Sequence, residues 1–245
     1  MPHLHGAQQD PSLAGQVTDS EVRAPDAAGH HLPRRPPRFD RQRRFSSLDV
    51  PDEGVDLVGA TKAIADLLDA IGVDRGNESL VGTPERVARA YAEMLTPEPF
   101  EATTFANDEG YDELVVARAI PFSSLCEHHL LPFAGVAHVG YLPGERLLGL
   151  SKLARVVNHF SRRLQVQERL TVEVRDWLVT ELSPKGVGVV LEAEHACMSM
   201  RGVRASGART MTSALAGLVR DDERTRAEFY VLVGGRWETG PGRSV

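Results

Sequence analysis

Cys126 and His129 stand in a Cys-x-x-His spacing that lets a thiolate and an imidazole bind one ion, and Cys197 is the only other thiol in the sequence. Two sulfurs and one ring nitrogen would leave the fourth position of a tetrahedral zinc open, as in catalytic rather than structural sites. A water there has its pKa brought down to about 7 and yields hydroxide at neutral pH. The alternative for the same residues is a Cys-x-x-His that arises in a folded core without any metal. His128 adjoins one ligand and His195 lies two residues before Cys197, so a backbone that joins the thiols also brings both imidazoles close. With ordinary pKa values of about 6.5, they are suited to moving protons around an attacked ring. A hydrogen-bonded structural histidine is the alternative for each.

These residues need elements to position them. Apolar residues at helical spacing predict a helix over Val55 to Ile71, closed by Gly72, and a second from Thr83-Pro84, with the threonine as cap, through Val87, Tyr91 and Leu95 to Pro97. Glu113 to Ile120 reads as a strand, and Phe133, Ala137, Val139 and Tyr141 share one side of another. Cys126 to His129 therefore falls at a strand-to-strand passage. Ser151 is the expected cap of a helix with Leu153, Val156, Val157, Phe160 and Leu164 on one face. The next helix, from about Gln167, turns Leu170, Val174, Trp177, Leu178 and Leu182 inward. Val187, Val189, Leu191 and Ala193 then alternate in a strand that delivers His195 and Cys197; a last strand is expected over Thr210 to Leu215 and a charged helix over Asp221 to Phe229. Without regular strand-helix alternation, the fold class is α+β, an antiparallel sheet with helices packed on one face. Open sheet edges can be closed by pairing between subunits.

The chain has 245 residues and a net charge of −6, which speaks against general nucleic-acid binding. Residues 1–51, rich in Pro, Arg, His and Gly, read as a disordered leader, including the basic tract Arg34 to Arg44. No apolar run approaches the length of roughly 18 residues that spans a membrane, and the beginning lacks the apolar centre of a secretory signal. A cytoplasmic location, with no membrane partner, is expected. Residues 234–245 read as a polar tail, leaving 52–233 as the catalytic domain, with helices at about 52–97 and a sheet core at about 111–233.

Substrate binding has a physical signature too. No Gly-x-x-x-x-Gly-Lys-Ser/Thr loop occurs, whereas Ser151-Lys152 opens a helix whose free N–H groups and partial positive charge suit a phosphate.

Four motifs, Cys126-Glu127-His128-His129, Gly149-Leu150-Ser151-Lys152, Gln165 to Leu170 and His195-Ala196-Cys197-Met198 with Arg201-Gly202-Val203, occur in an order and spacing that resembles the GTP cyclohydrolase I family. The likeness runs from about Val55 to Phe229. It implies Cys126, His129 and Cys197 as ligands of Zn2+, His128 and His195 as the proton-handling pair, and GTP as substrate. Water would attack carbon 8 of guanine, the imidazole ring would open, and formate would leave before closure to 7,8-dihydroneopterin triphosphate. Glu168 resembles the guanine reader, with Gln167 beside it among the substrate contacts, and Ser151, Lys152, Arg155, Arg201 and Arg86 resemble the phosphate contacts. The implied architecture is the tunnelling fold (T-fold), closed into a symmetric barrel as a homodecamer with sites at subunit contacts. Leu164 stands where many relatives have proline, and Ala208 where serine is expected. The rival readings are a non-catalytic, zinc-fastened protein and a cysteine-nucleophile nitrile reductase of the same fold.

Overall fold

The computed structural model of the chain describes residues 54–234; the expected leader and the tail from residue 235 lie outside them. Two helices come first, α1 (Leu57–Ala70) and α2 (Thr83–Leu95). They precede β1 (Thr104–Ala106), β2 (Val115–Cys126), β3 (Pro132–Leu142) and β4 (Arg146–Leu148). Then follow α3 (Leu150–Ser161), β5 (Leu164–Gln165), α4 (Gln167–Leu182), β6 (Gly186–His195) and α5 (Ala196–Ser199). The last elements are β7 (Thr210–Gly217), α6 (Leu218–Asp221) and α7 (Glu223–Gly234), so the expected charged helix is two helices and runs one residue into the expected tail.

The main sheet has the order β5-β2-β3-β6-β7, antiparallel except where β5 meets β2, and β1 pairs with β4 apart from it. The α+β reading holds. Strand alternation divides the residues between two faces. Val187, Val189, Leu191 and Ala193 of β6 and Phe133, Ala137, Val139 and Tyr141 of β3 meet Leu153, Val156, Val157 and Phe160 of α3 and Leu170, Val174 and Leu178 of α4 in one buried cluster. Val190, on the other parity, joins Val219, Phe229 and Val233 in a second cluster.

Helices therefore cover both faces, which corrects the one-face expectation. The reason lies in two glycines. A side chain on Gly140 or Gly188 would meet the Phe229 ring, at 3.0 Å and 2.6 Å respectively, so their absent Cβ atoms form the slot that docks α7.

Three local expectations also change. Leu164 does not extend the apolar face of α3, because the helix ends at Ser161 and Leu164 pairs with Leu125 in β5. Gly149, not Ser151, occupies the cap of α3, and among the described residues no side chain bonds the cap amides. Likewise Gly82 precedes α2, and the Thr83 hydroxyl accepts from Arg86 Nη2 at 2.9 Å instead of capping.

Two histidines away from the site, His138 and His159, are held below their ordinary 6.5, in both cases mainly by burial. Above 6.5 folded and unfolded chains are both neutral at these rings. Below it the unfolded chain takes up protons first, so stability is lost as pH falls from 6.5 towards the depressed folded values. A lower thermal midpoint at pH 5.5 than at pH 7.5, measured by circular dichroism, is the expected result; an unchanged midpoint would contradict it.

Candidate functional site

The site forms where β2 and β6 end on either side of β3. Cys126 closes β2, and the chain reverses at once: Leu130 donates its N–H to the Cys126 carbonyl at 2.9 Å and Cys126 donates to Leu131 at 2.9 Å. Leu130 takes the left-handed conformation that this reversal needs, with φ 54°. Tyr91 of α2 donates its hydroxyl to the Leu130 carbonyl at 2.9 Å, and the Glu127 N–H reaches the Gln165 carbonyl at 3.0 Å. The turn is thus tied down on two sides.

On the far side of β3, β6 ends at His195 and passes directly into the single turn of α5, which carries Cys197. Register does the rest. Phe133 of β3 lies opposite His195, and their rings stack at 4.6 Å with an interplanar angle of 1°.

Cys126, His129 and Cys197 converge, with their ligand atoms all within 4.8 Å of one another. Cys126 Sγ lies 3.7 Å from His129 Nδ1, against about 3.6 Å for a sulfur and a nitrogen on one tetrahedral zinc. This donor set fits a thiophilic divalent ion. Burial pushes the Cys197 thiol up from its ordinary range, the neighbouring Cys126 adds to the rise, and Arg201 opposes it. A thiol that resists ionising in such a place is readily served by a cation beside it.

The histidines occupy different surroundings. His128 is largely exposed, with Nδ1 3.7 Å from Cys126 Sγ and Nε2 3.8 Å from a Glu127 oxygen. His195 is partly buried, and that burial lowers its pKa from the usual 6.5 while Glu168 raises it. Its Nε2 lies 2.8 Å from Gln167 Oε1. Gln167 Nε2 meets the Leu191 and Thr210 carbonyls at 3.2 and 2.9 Å. Two carbonyl acceptors require the NH2 group on that side, so Oε1 faces the imidazole as an acceptor. The proton of neutral His195 is therefore on Nε2, and Nδ1 is the ring's acceptor nitrogen.

A family model described as GTP cyclohydrolase I matches residues 60–234. The chain belongs to the GTP cyclohydrolase I family. Among similar proteins, the GTP cyclohydrolase 1 of Thermoanaerobacter pseudethanolicus is 47% identical over 186 residues, covering 74% of this chain and 99% of that one. That of Aquifex aeolicus is 51% identical, covering 74% and 98%, and that of Mycobacteroides abscessus is 52% identical, covering 73% and 90%.

In this member of the GTP cyclohydrolase I family the remaining expected residues divide into two groups. Near the cluster, Glu168 is exposed on the first turn of α4 and acts on His195, and exposed Arg201 acts on the Cys197 thiol. Gln167 departs from the expected substrate contact: it is 1% exposed and spends its amide on His195, β6 and β7. Ser151 and Lys152 sit on the first turn of α3, and Arg155 of the same helix lines a cleft with Glu98, Phe100 and Arg162. Arg86 is folded over its own helix start, bonding the Ser79 carbonyl at 3.1 Å and Thr83. The stacking partner Phe133 was not anticipated, although strand parity already set it on the buried side. The amide that fixes the His195 tautomer was visible only as part of a motif.

Proposed function

We propose that the chain is a zinc-dependent GTP cyclohydrolase I, opening the guanine imidazole ring of GTP by hydrolysis to give 7,8-dihydroneopterin triphosphate and formate, at the entry to tetrahydrofolate and pterin synthesis. One observation carries the reading: Cys126, His129 and Cys197 converge within 4.8 Å beside two histidines, in a chain about half identical to enzymes of that name. Those three side chains would hold the zinc ion, which when bound would supply Lewis-acid activation of water.

The residues around it divide the proton work. His195, kept neutral by burial and carrying its proton on Nε2, offers Nδ1 to accept one. His128, in contact with solvent, donates to the purine nitrogen and makes carbon 8 more electrophilic. Glu168 accepts parallel hydrogen bonds from the ring N–H and exocyclic amine of guanine, a donor pair that adenine lacks, and mismatch leaves a polar group unpaired. The uncapped amides at the start of α3, with Ser151, Lys152 and Arg155, receive the triphosphate. Arg201 adds charge from the α5 side, and Arg86 from a neighbouring subunit. Gln167 serves substrate indirectly, by orienting His195.

A zinc-fastened, non-catalytic protein needs a fourth protein ligand; against that rival stands the name of an enzyme on relatives about half identical to this chain. We further assign residues 52–233 to the catalytic domain, with the segments on either side outside its chemistry, in a cytoplasmic T-fold homodecamer. In support of assembly, α1 has no buried residue and exposes Val58 and Leu67, with Ile71 exposed at its C-cap, while among the described residues β5 and β7 end the sheet as open edges. The test is purified chain with GTP: formate and, after oxidation, a fluorescent pterin are expected, with about one zinc per chain. Zinc without turnover would favour the structural rival.

A further inference from the structure

Arg169, on the first turn of α4, holds the Cys126–His129 turn from outside. Its Nε donates to Gln165 Oε1 at 2.8 Å, and its Nη2 donates to the Leu164 carbonyl at 3.1 Å and to the carboxylate of Glu127. Glu127 is the residue between Cys126 and the histidine pair. Gln165 is itself fixed: it is fully buried, and its Nε2 donates to the Phe160 carbonyl at 2.9 Å and to Glu173 Oε2 at 2.7 Å. Its backbone carbonyl accepts the Glu127 N–H at 3.0 Å. Glu127 is therefore held twice, by its main chain on β5 and by its side chain on α4.

We infer that Arg169 is a positioning residue for the metal centre, setting the Cys126–His129 turn through Glu127; the inference rests on the zinc reading of that site. The pair's side chains are 41% and 34% exposed, so their Coulomb attraction contributes little in itself. What matters is direction. A guanidinium reaches Gln165, Leu164 and Glu127 at once because its donors form a rigid fork, and a lysine ammonium cannot reproduce that geometry. Groups that orient a ligand-bearing segment typically change metal affinity by about 10- to 100-fold when removed.

The test measures zinc affinity of the full chain by competition with a chromogenic chelator. Arg169→Met is expected to bind zinc about 10- to 100-fold more weakly, and Arg169→Lys to recover only part of the loss. Glu127→Gln, which turns the charge-assisted hydrogen bond into a weaker neutral one and puts an amide NH2 where one carboxylate oxygen stood, loosens the directed link to Arg169 and should also weaken binding. Arg169→Met combined with Glu127→Gln should be no worse than Arg169→Met alone, since both act through one link. Arg175→Met, on the same helix but paired with Asp176, should match the parent, and the zinc-free melting temperature of Arg169→Met should barely move. Parental zinc affinity in Arg169→Met, or losses that multiply in the double variant, would overturn the inference. If Arg169→Met does not fold, Glu127→Gln with parental affinity overturns it. A parent chain that binds no zinc sinks the metal reading itself, and is told apart by that control.

Discussion

Cys197→Ala is expected to abolish both zinc retention and formate release. Of the two thiols it is the cleaner one to remove, because Cys126 is 6% exposed and part of the main core, whereas Cys197 packs only partly against it. Truncating Cys126 would mix a packing defect with loss of a ligand. With one sulfur gone, the remaining sulfur and imidazole are too few for a closed zinc site. Lewis-acid assistance amounts to several kcal/mol, which at tenfold per about 1.4 kcal/mol makes turnover fall by at least about a thousandfold. Metal content after dialysis and formate release are the two readouts, and the fold should survive, as seen by circular dichroism. Full turnover in the variant would refute the ligand assignment.

Gly135→Ala carries the largest expected cost in stability. A Cβ at Gly135 would lie 1.9 Å from the Glu192 carbonyl oxygen and 2.6 Å from the Ala193 Cα. Both are backbone atoms, so no side chain can swing away, and β3 must separate from β6. Overpacking of this kind costs about 3 kcal/mol, which lowers the thermal midpoint of a domain this size by on the order of 10 °C. Gly135 pairs with Ala193, two register positions from the Phe133–His195 stack, so activity should fall with stability. Gly54→Ala, where a Cβ meets nothing within 4 Å, is the matched control and should melt like the parent.

How far these features could be read from the sequence depended on what kind of signal each leaves. The convergence of Cys126, His129 and Cys197 was legible because Cys-x-x-His and a single further thiol leave few combinations, and α4 because its apolar period is sustained from Leu170 to Leu182. The second half of β2 was not, since Pro121 and the serines after it look like a break. The strand tolerates the proline because β2 is a sheet edge over most of its length, β5 meeting only Leu125 and Cys126. Gly140 and Gly188 likewise read as weak points in strands, and only the docked ring of Phe229 explains them. Gln167 and Arg169 stand within one motif, but their duties depend on partners 24 and 42 residues away in sequence, a distance across which local patterning carries no information.

The order of strands gives the site a second consequence. Because β3 separates β2 from β6, the two sulfurs leave the sheet on opposite flanks of a shared neighbour. A cation between them would act as a staple, closing roughly seventy residues of chain into a ring and subtracting the entropy of that closure from the opened ensemble. Its occupancy would then be felt as mechanical cohesion along the whole rim of the sheet, so scarcity of the ion would soften the scaffold at the same moment that it silenced the chemistry.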